Sequence, residues 1–127
     1  MSQILIVESD ALAGQQLKNA LERNGYRVFL ERNGRDALWF LDQNPSDLLI
    51  TEIDLPYLDG LNLVKGLKSH PEQAHLPIIF YVSDQSLLKE IQSQEIDVVG
   101  VVEKSQGLKA LLDLVKTTLV QEPFLLD

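Results

Sequence analysis

Six residues of this 127-residue chain have types and positions that lend themselves to chemistry: Glu8, Asp10, Glu52, Asp54, Glu103 and Lys104. Each lies just past a short apolar run. Ile4-Leu5-Ile6-Val7 leads into Glu8-Ser9-Asp10, Leu48-Leu49-Ile50-Thr51 into Glu52-Ile53-Asp54, and Val98-Val99-Gly100-Val101-Val102 into Glu103-Lys104. In open α/β sheets the carboxyl ends of strands are where ligands bind and chemistry is done. A charged residue at one strand end marks only a solvated loop, whereas three strand ends delivering carboxylates and one ammonium group to the same rim describe a charged site. No nucleophile–base pair stands among them, which argues against an enzyme.

The elements that must position these residues follow from periodicity. After Asp10, Ala13, Leu17, Ala20 and Leu21 recur at helical spacing up to Asn24-Gly25. Tyr26, Val28 and Leu30 recur at every second position between polar Arg27 and Glu31, with Phe29 breaking the polar side, and a helical stripe through Ala37, Leu38 and Leu41 ends at Asn44-Pro45. Leu61, Val64 and Leu67 mark a third helix, Ile78 to Val82 a fourth strand, and Leu87, Leu88 and Ile91 a fourth helix. Leu108, Leu111, Leu112, Val115 and Leu119 mark the last helix. Five β–α alternations predict a parallel sheet covered on both faces, which accounts for the continuously apolar first, third, fourth and fifth strands. The alternating second strand suits an edge. The predicted fold is a flavodoxin-like (βα)5 doubly wound sheet of order 2-1-3-4-5, with the site above strands one and three at the switch point.

Composition narrows the function. There are no cysteines, so disulfides and thiolate chemistry are excluded, and the net charge of −8 opposes contact with nucleic acid or anionic lipid. No apolar run approaches the roughly 20 residues of a membrane span, and the amino terminus has no leader pattern. A cytoplasmic location is expected. Residues 1–120 are expected to form one domain, and residues 121–127, with Phe124-Leu125-Leu126, a C-terminal tail or the start of a linker.

Four motifs together carry a family likeness: Ile-Leu-Ile-Val-Glu-Ser-Asp at 4–10, Asp-Leu-Leu-Ile-Thr-Glu-Ile-Asp-Leu-Pro-Tyr-Leu-Asp-Gly at 47–60, Leu-Pro-Ile-Ile at 76–79 and Gly-Val-Val-Glu-Lys at 100–104. The chain resembles the receiver domain of two-component response regulators over residues 3–120. The resemblance implies a domain that takes a phosphoryl group from a histidine kinase onto an aspartate after strand three, with Mg²⁺. It also implies signalling through the face of helix four, strand five and helix five.

The chain departs from that pattern repeatedly. The adjacent acidic pair that helps hold the metal corresponds to Glu8 and Ser9, so one carboxylate is a hydroxyl. Mg²⁺ demands a hard, anionic, octahedral oxygen set, and Glu8, Glu52 and Asp54 are expected to bind it weakly or not at all. Asp10 is expected to cap the first helix. The phosphoacceptor position holds Glu52, one methylene longer than aspartate, which disfavours in-line transfer because about 1 Å of misplacement costs on the order of a hundredfold. Glu52 then either imitates the phosphorylated form or simply pairs with Lys104, the match to the family's phosphate-binding lysine. Val82 and Val101 replace the Thr/Ser and aromatic switch residues, with Ser83 as the substitute if the strand carries a bulge. Ser105 stands where a proline is usual.

Other candidates are read as structural. His70 and His75 lack supporting carboxylates, and of Trp39-Phe40 one ring is expected to pack inward and the other outward. The leading expectation is a receiver-like module that binds a protein partner, either a histidine kinase or an output protein, without phosphorylation chemistry, with a homodimer also open. A working phosphoreceiver with unusual residues is the alternative, and a small-molecule enzyme on the same fold stands third.

Overall fold

The computed structural model describes residues 1–84 and 86–120, apart from the side chain of Leu87. The tail with Phe124, Leu125 and Leu126, and the expected contribution of Leu87 to helix four, lie outside the described residues. The elements alternate as the periodicity requires: β1 (Gln3–Val7), α1 (Ala11–Arg23), β2 (Arg27–Glu31), α2 (Gly34–Gln43), β3 (Leu48–Thr51), α3 (Gly60–Ser69), β4 (Ile78–Val82), α4 (Leu87–Ser93), β5 (Gly100–Glu103) and α5 (Leu108–Thr118), with a single 3₁₀ turn at Lys104–Gln106. All four strand pairings are parallel and the order is β2-β1-β3-β4-β5.

Unbroken apolar strands serve two cores at once, because successive side chains point to opposite faces. Leu5, Val7, Leu49 and Phe80 pack under α2, α3 and α4, against Ala37, Leu41, Leu63, Leu67 and Ile91. Ile4, Ile6, Leu48 and Ile50 pack on the other face against Leu17 and Leu21 of α1 and Leu111 and Val115 of α5. Strand five differs from expectation: it begins at Gly100 rather than Val98, Val99 is 43% exposed, and Val102 is its only buried residue. It is the second edge of the sheet, so it has a neighbour on one side only.

Capping side chains set where the helices begin, and so how the strand ends are presented. Asp10 Oδ1 accepts from the Ala13 N–H at 3.0 Å, Asn33 Oδ1 from the Asp36 N–H at 2.8 Å, and Asp59 Oδ1 from the Asn62 N–H at 2.8 Å. Gly60 is required at the start of α3. A Cβ there would stand 2.2 Å from the carbonyl oxygen of Glu52, and the Gly60 N–H donates to Ile53 O at 2.8 Å. The end of β3 and the first turn of α3 are thus in direct backbone contact.

Candidate functional site

Glu8 and Glu52, one residue past β1 and β3, are both buried at 6% and 4% exposure. They lie side by side because β1 and β3 are paired neighbours, with Val7 opposite Thr51. Burying two carboxylates is costly unless each oxygen is paired. Here all four are. Lys104, arriving from the end of β5, donates to Glu8 Oε1 and lies 3.2 Å from Glu52 Oε1. Glu8 Oε2 accepts from the Asp10 N–H at 3.1 Å. Glu52 Oε2 accepts from the Ile53 N–H at 2.8 Å, and Glu52 Oε1 from the Ser83 N–H at 3.1 Å.

Lys104 therefore has two anionic partners. Partial burial pulls its pKa down, but the hydrogen bond to Glu8 and the charges of Glu8 and Glu52 outweigh that and leave it raised. Its ammonium also lies 5.9 Å from the centroid of the Tyr81 ring. Asp10 faces outward as a cap, and the Ala13 N–H is the main cause of its lowered pKa; loss of solvent opposes it, and Leu12, Lys104 and Arg32 add smaller lowering effects.

The remaining predicted residues are distributed unevenly. Asp54 is exposed. Val82 is fully buried, and Val101 is partly buried against the core under α2, α3 and α4. The β4–β5 register runs without interruption from Ile79–Gly100 to Val82–Glu103, so no bulge moves Ser83 into the switch position. Ser83 joins the site through its backbone N–H, while its side chain is exposed. Trp39 projects outward at 70% exposure and Phe40 packs inward, 5.1 Å from the Phe29 ring. His70 and His75 are exposed.

The donor set does not fit Mg²⁺ in this arrangement. An octahedral ion needs oxygen ligands at about 2.0–2.1 Å, and every oxygen of Glu8 and Glu52 faces an N–H or ammonium donor. Among the described residues no group of three or more His, Asp or Glu is placed to hold a metal ion.

Two participants escaped the sequence reading. Arg32 directs Nε and Nη2 at the Ser9 carbonyl oxygen, at 3.0 and 2.9 Å, tying the loop after β2 to the loop after β1. The pairing of Val7 with Glu31 put Arg32 beside this rim once β2 was taken as the neighbour of β1. The Ser83 N–H carries no side-chain signature. Glu8, rather than Glu52, is also the closer partner of Lys104.

A doubly wound parallel sheet with its charged site at the β1/β3 switch point defines the flavodoxin-like class. The family model of the response regulator receiver domain matches residues 4–116, and the chain belongs to that family, the receiver module of two-component signalling. Among curated relatives, the transcriptional regulatory protein PcoR of Escherichia coli is 29% identical over 119 residues, 94% of this chain and 52% of PcoR. The polar-differentiation response regulator DivK of Brucella anthropi is 34% identical over 76 residues, 60% of this chain and 62% of DivK. The chain thus spans between half and two-thirds of the length of these relatives. A solved receiver domain of a signal transduction histidine kinase from Syntrophus aciditrophicus is 30% identical with a TM-score of 0.85, covering 99% of this chain and 98% of that one. Receiver domains are signalling modules that interact with histidine kinases and output domains.

Proposed function

We propose that this receiver domain signals without accepting a phosphoryl group, with Glu52 as a built-in negative charge in place of the phosphoacceptor aspartate. One observation carries the reading: the buried Glu52 carboxylate bonds at once to its own loop through Ile53, to the end of β4 through Ser83, and to the end of β5 through Lys104. A charge that only balanced Lys104 would have no need of the Ser83 N–H. Through that bond Glu52 holds the β4–α4 junction, next to the face of α4, β5 and α5 through which the family resemblance implies partner contact. Val82 and Val101 have neither a hydroxyl nor an aromatic ring with which to switch. The domain accordingly stays in one signalling state, binds a kinase or output protein through that face, catalyses nothing and needs no Mg²⁺.

Incubating the chain with Mg²⁺ and a small-molecule phosphodonor, followed by intact-mass measurement, tests the proposal. The expected result is an unchanged mass. A stoichiometric gain of one phosphoryl group overturns it in favour of a working phosphoreceiver with unusual site residues.

A further inference from the structure

We propose that the outward face of α2 pairs with the same face of a second copy of this chain, the two helices running antiparallel across a twofold axis. Arg35, Leu38, Trp39 and Asp42 follow the i, i+3, i+4, i+7 spacing that makes a single helical stripe. Ala37 and Leu41 are buried, whereas Trp39 is 70% and Leu38 40% exposed, so the stripe faces away from the core. A surface helix ordinarily turns polar residues to that side. Between this stripe and α3 runs a groove of about 420 Å³, and Gly66 and Leu67 belong to its α3 wall. Gly66 faces open space, with no atom within 4 Å of where a Cβ would stand.

Charge identifies the occupant. Arg35 and Asp42 stand at opposite ends of the stripe, and neither has an ion-pair partner among the described residues. An antiparallel copy brings each Arg35 against the partner's Asp42, with Trp39 of each chain at the other's groove, which is the self-complementary pattern of a twofold contact. A parallel copy would set like charges together. Stacking over the Tyr57 ring, 4.6 Å from its centroid, holds the Arg35 guanidinium at its end of the stripe. The chain as a whole, at −8, repels copies of itself, whereas this stripe carries one charge of each sign. With a helix of 10 residues the contact is small and falls in the class of weak, transient pairs. It lies on α2 and α3 and is independent of the reading of Glu52.

Sedimentation of the 127-residue chain, together with the emission of Trp39, its only tryptophan, tests the pairing. The expected result is a dimer fraction that grows with concentration up to about 1 mM, with a blue shift as the indole leaves water. Trp39→Ala, Arg35→Glu and Asp42→Arg should each weaken association by about tenfold or more. Mixing the two charge variants should restore association, because each then meets its opposite at both ends. The chain carrying both reversals should associate like the original, which keeps the test decisive if one single variant fails to fold. A chain that stays monomeric to that concentration overturns the proposal, and so does a dimer indifferent to Trp39→Ala and to both charge variants.

Discussion

Replacing Glu52 by glutamine keeps the shape of the side chain and removes its charge, so it isolates what the carboxylate does. Its two oxygens accept from N–H groups on opposite sides, Ile53 at 2.8 Å and Ser83 at 3.1 Å. A glutamine amide has one accepting oxygen and an NH₂ group that only donates. Whichever way it turns, one backbone N–H faces another donor, at a position only 4% exposed. A buried donor left unpaired costs about 1–3 kcal/mol. Lys104 loses one of its two carboxylates but keeps Glu8, and the local charge falls from −1 to zero, which offsets part of that loss. The expected net destabilisation is about 1–2 kcal/mol, or about 4–8 °C in melting temperature for a domain of this size. Urea and thermal unfolding measure it, and amide NMR identifies the donor released. If the glutamine oxygen stays with Lys104, as its charge favours, the Ile53 amide should move upfield while Ser83 moves little. Stability within about 0.5 kcal/mol of the original, with both amides unshifted, would refute the claim that Glu52 spans β3 and β4.

Two further outcomes follow from the same geometry. Ser9→Asp with Glu52→Asp returns a second carboxylate to the β1 end and shortens the one at β3, so Mg²⁺-dependent NMR shifts should appear at residues 8–10 and 52–54; their absence would put the metal site elsewhere. Lys104→Met leaves Glu8 and Glu52 buried together without a cation, at a cost of about 3 kcal/mol, the low end of the range for breaking a buried pair because the lysine side chain is 26% exposed. The Lys104 pKa is raised above its ordinary 10.5 in the folded state, so folding strengthens its hold on the proton. Its stabilisation is complete below about pH 10 and is lost as pH rises through the raised value. Urea midpoints of the original chain and the variant should therefore differ most near neutrality and converge as the pH rises through the raised Lys104 pKa.

Much of this was legible in the sequence, because the signals were local or periodic. Unbroken runs such as Ile4–Val7 can be buried on both faces only in a covered parallel sheet, and the every-second-residue recurrence of Tyr26, Val28 and Leu30 marked β2 as an edge even though Phe29 stands on the other, exposed side. Asp10 as a cap and Glu52 beside Lys104 were likewise readable from position. The fifth strand misled for a physical reason: Val98 and Val99 are apolar but precede β5, in a segment with a sheet neighbour on one side only. The Ser83 contribution was hidden because it is a backbone donor. The Glu8–Lys104 contact depended on how far a flexible lysine reaches across β3 and β4, a distance that composition and spacing do not encode.

Positive charge at this rim comes from side chains. Lys104 is shared by two buried carboxylates, and Arg32 covers the Ser9 carbonyl with two N–H groups. A divalent ion would have to displace the ammonium from Glu8 and the N–H donors from Glu52 and give up part of its tightly held hydration shell, while Ser9 supplies no compensating anion. A phosphoryl group would meet Glu52 already holding the Ser83 N–H and sharing Lys104, and would add about two negative charges to a rim that is already negative. On the proposed reading, metal and phosphoryl affinity fall together, and for the same reason. Under that proposal neither reactant binds well, and the carboxylate at position 52 is retained for the bonds it makes, above all the one that joins β3 to β4.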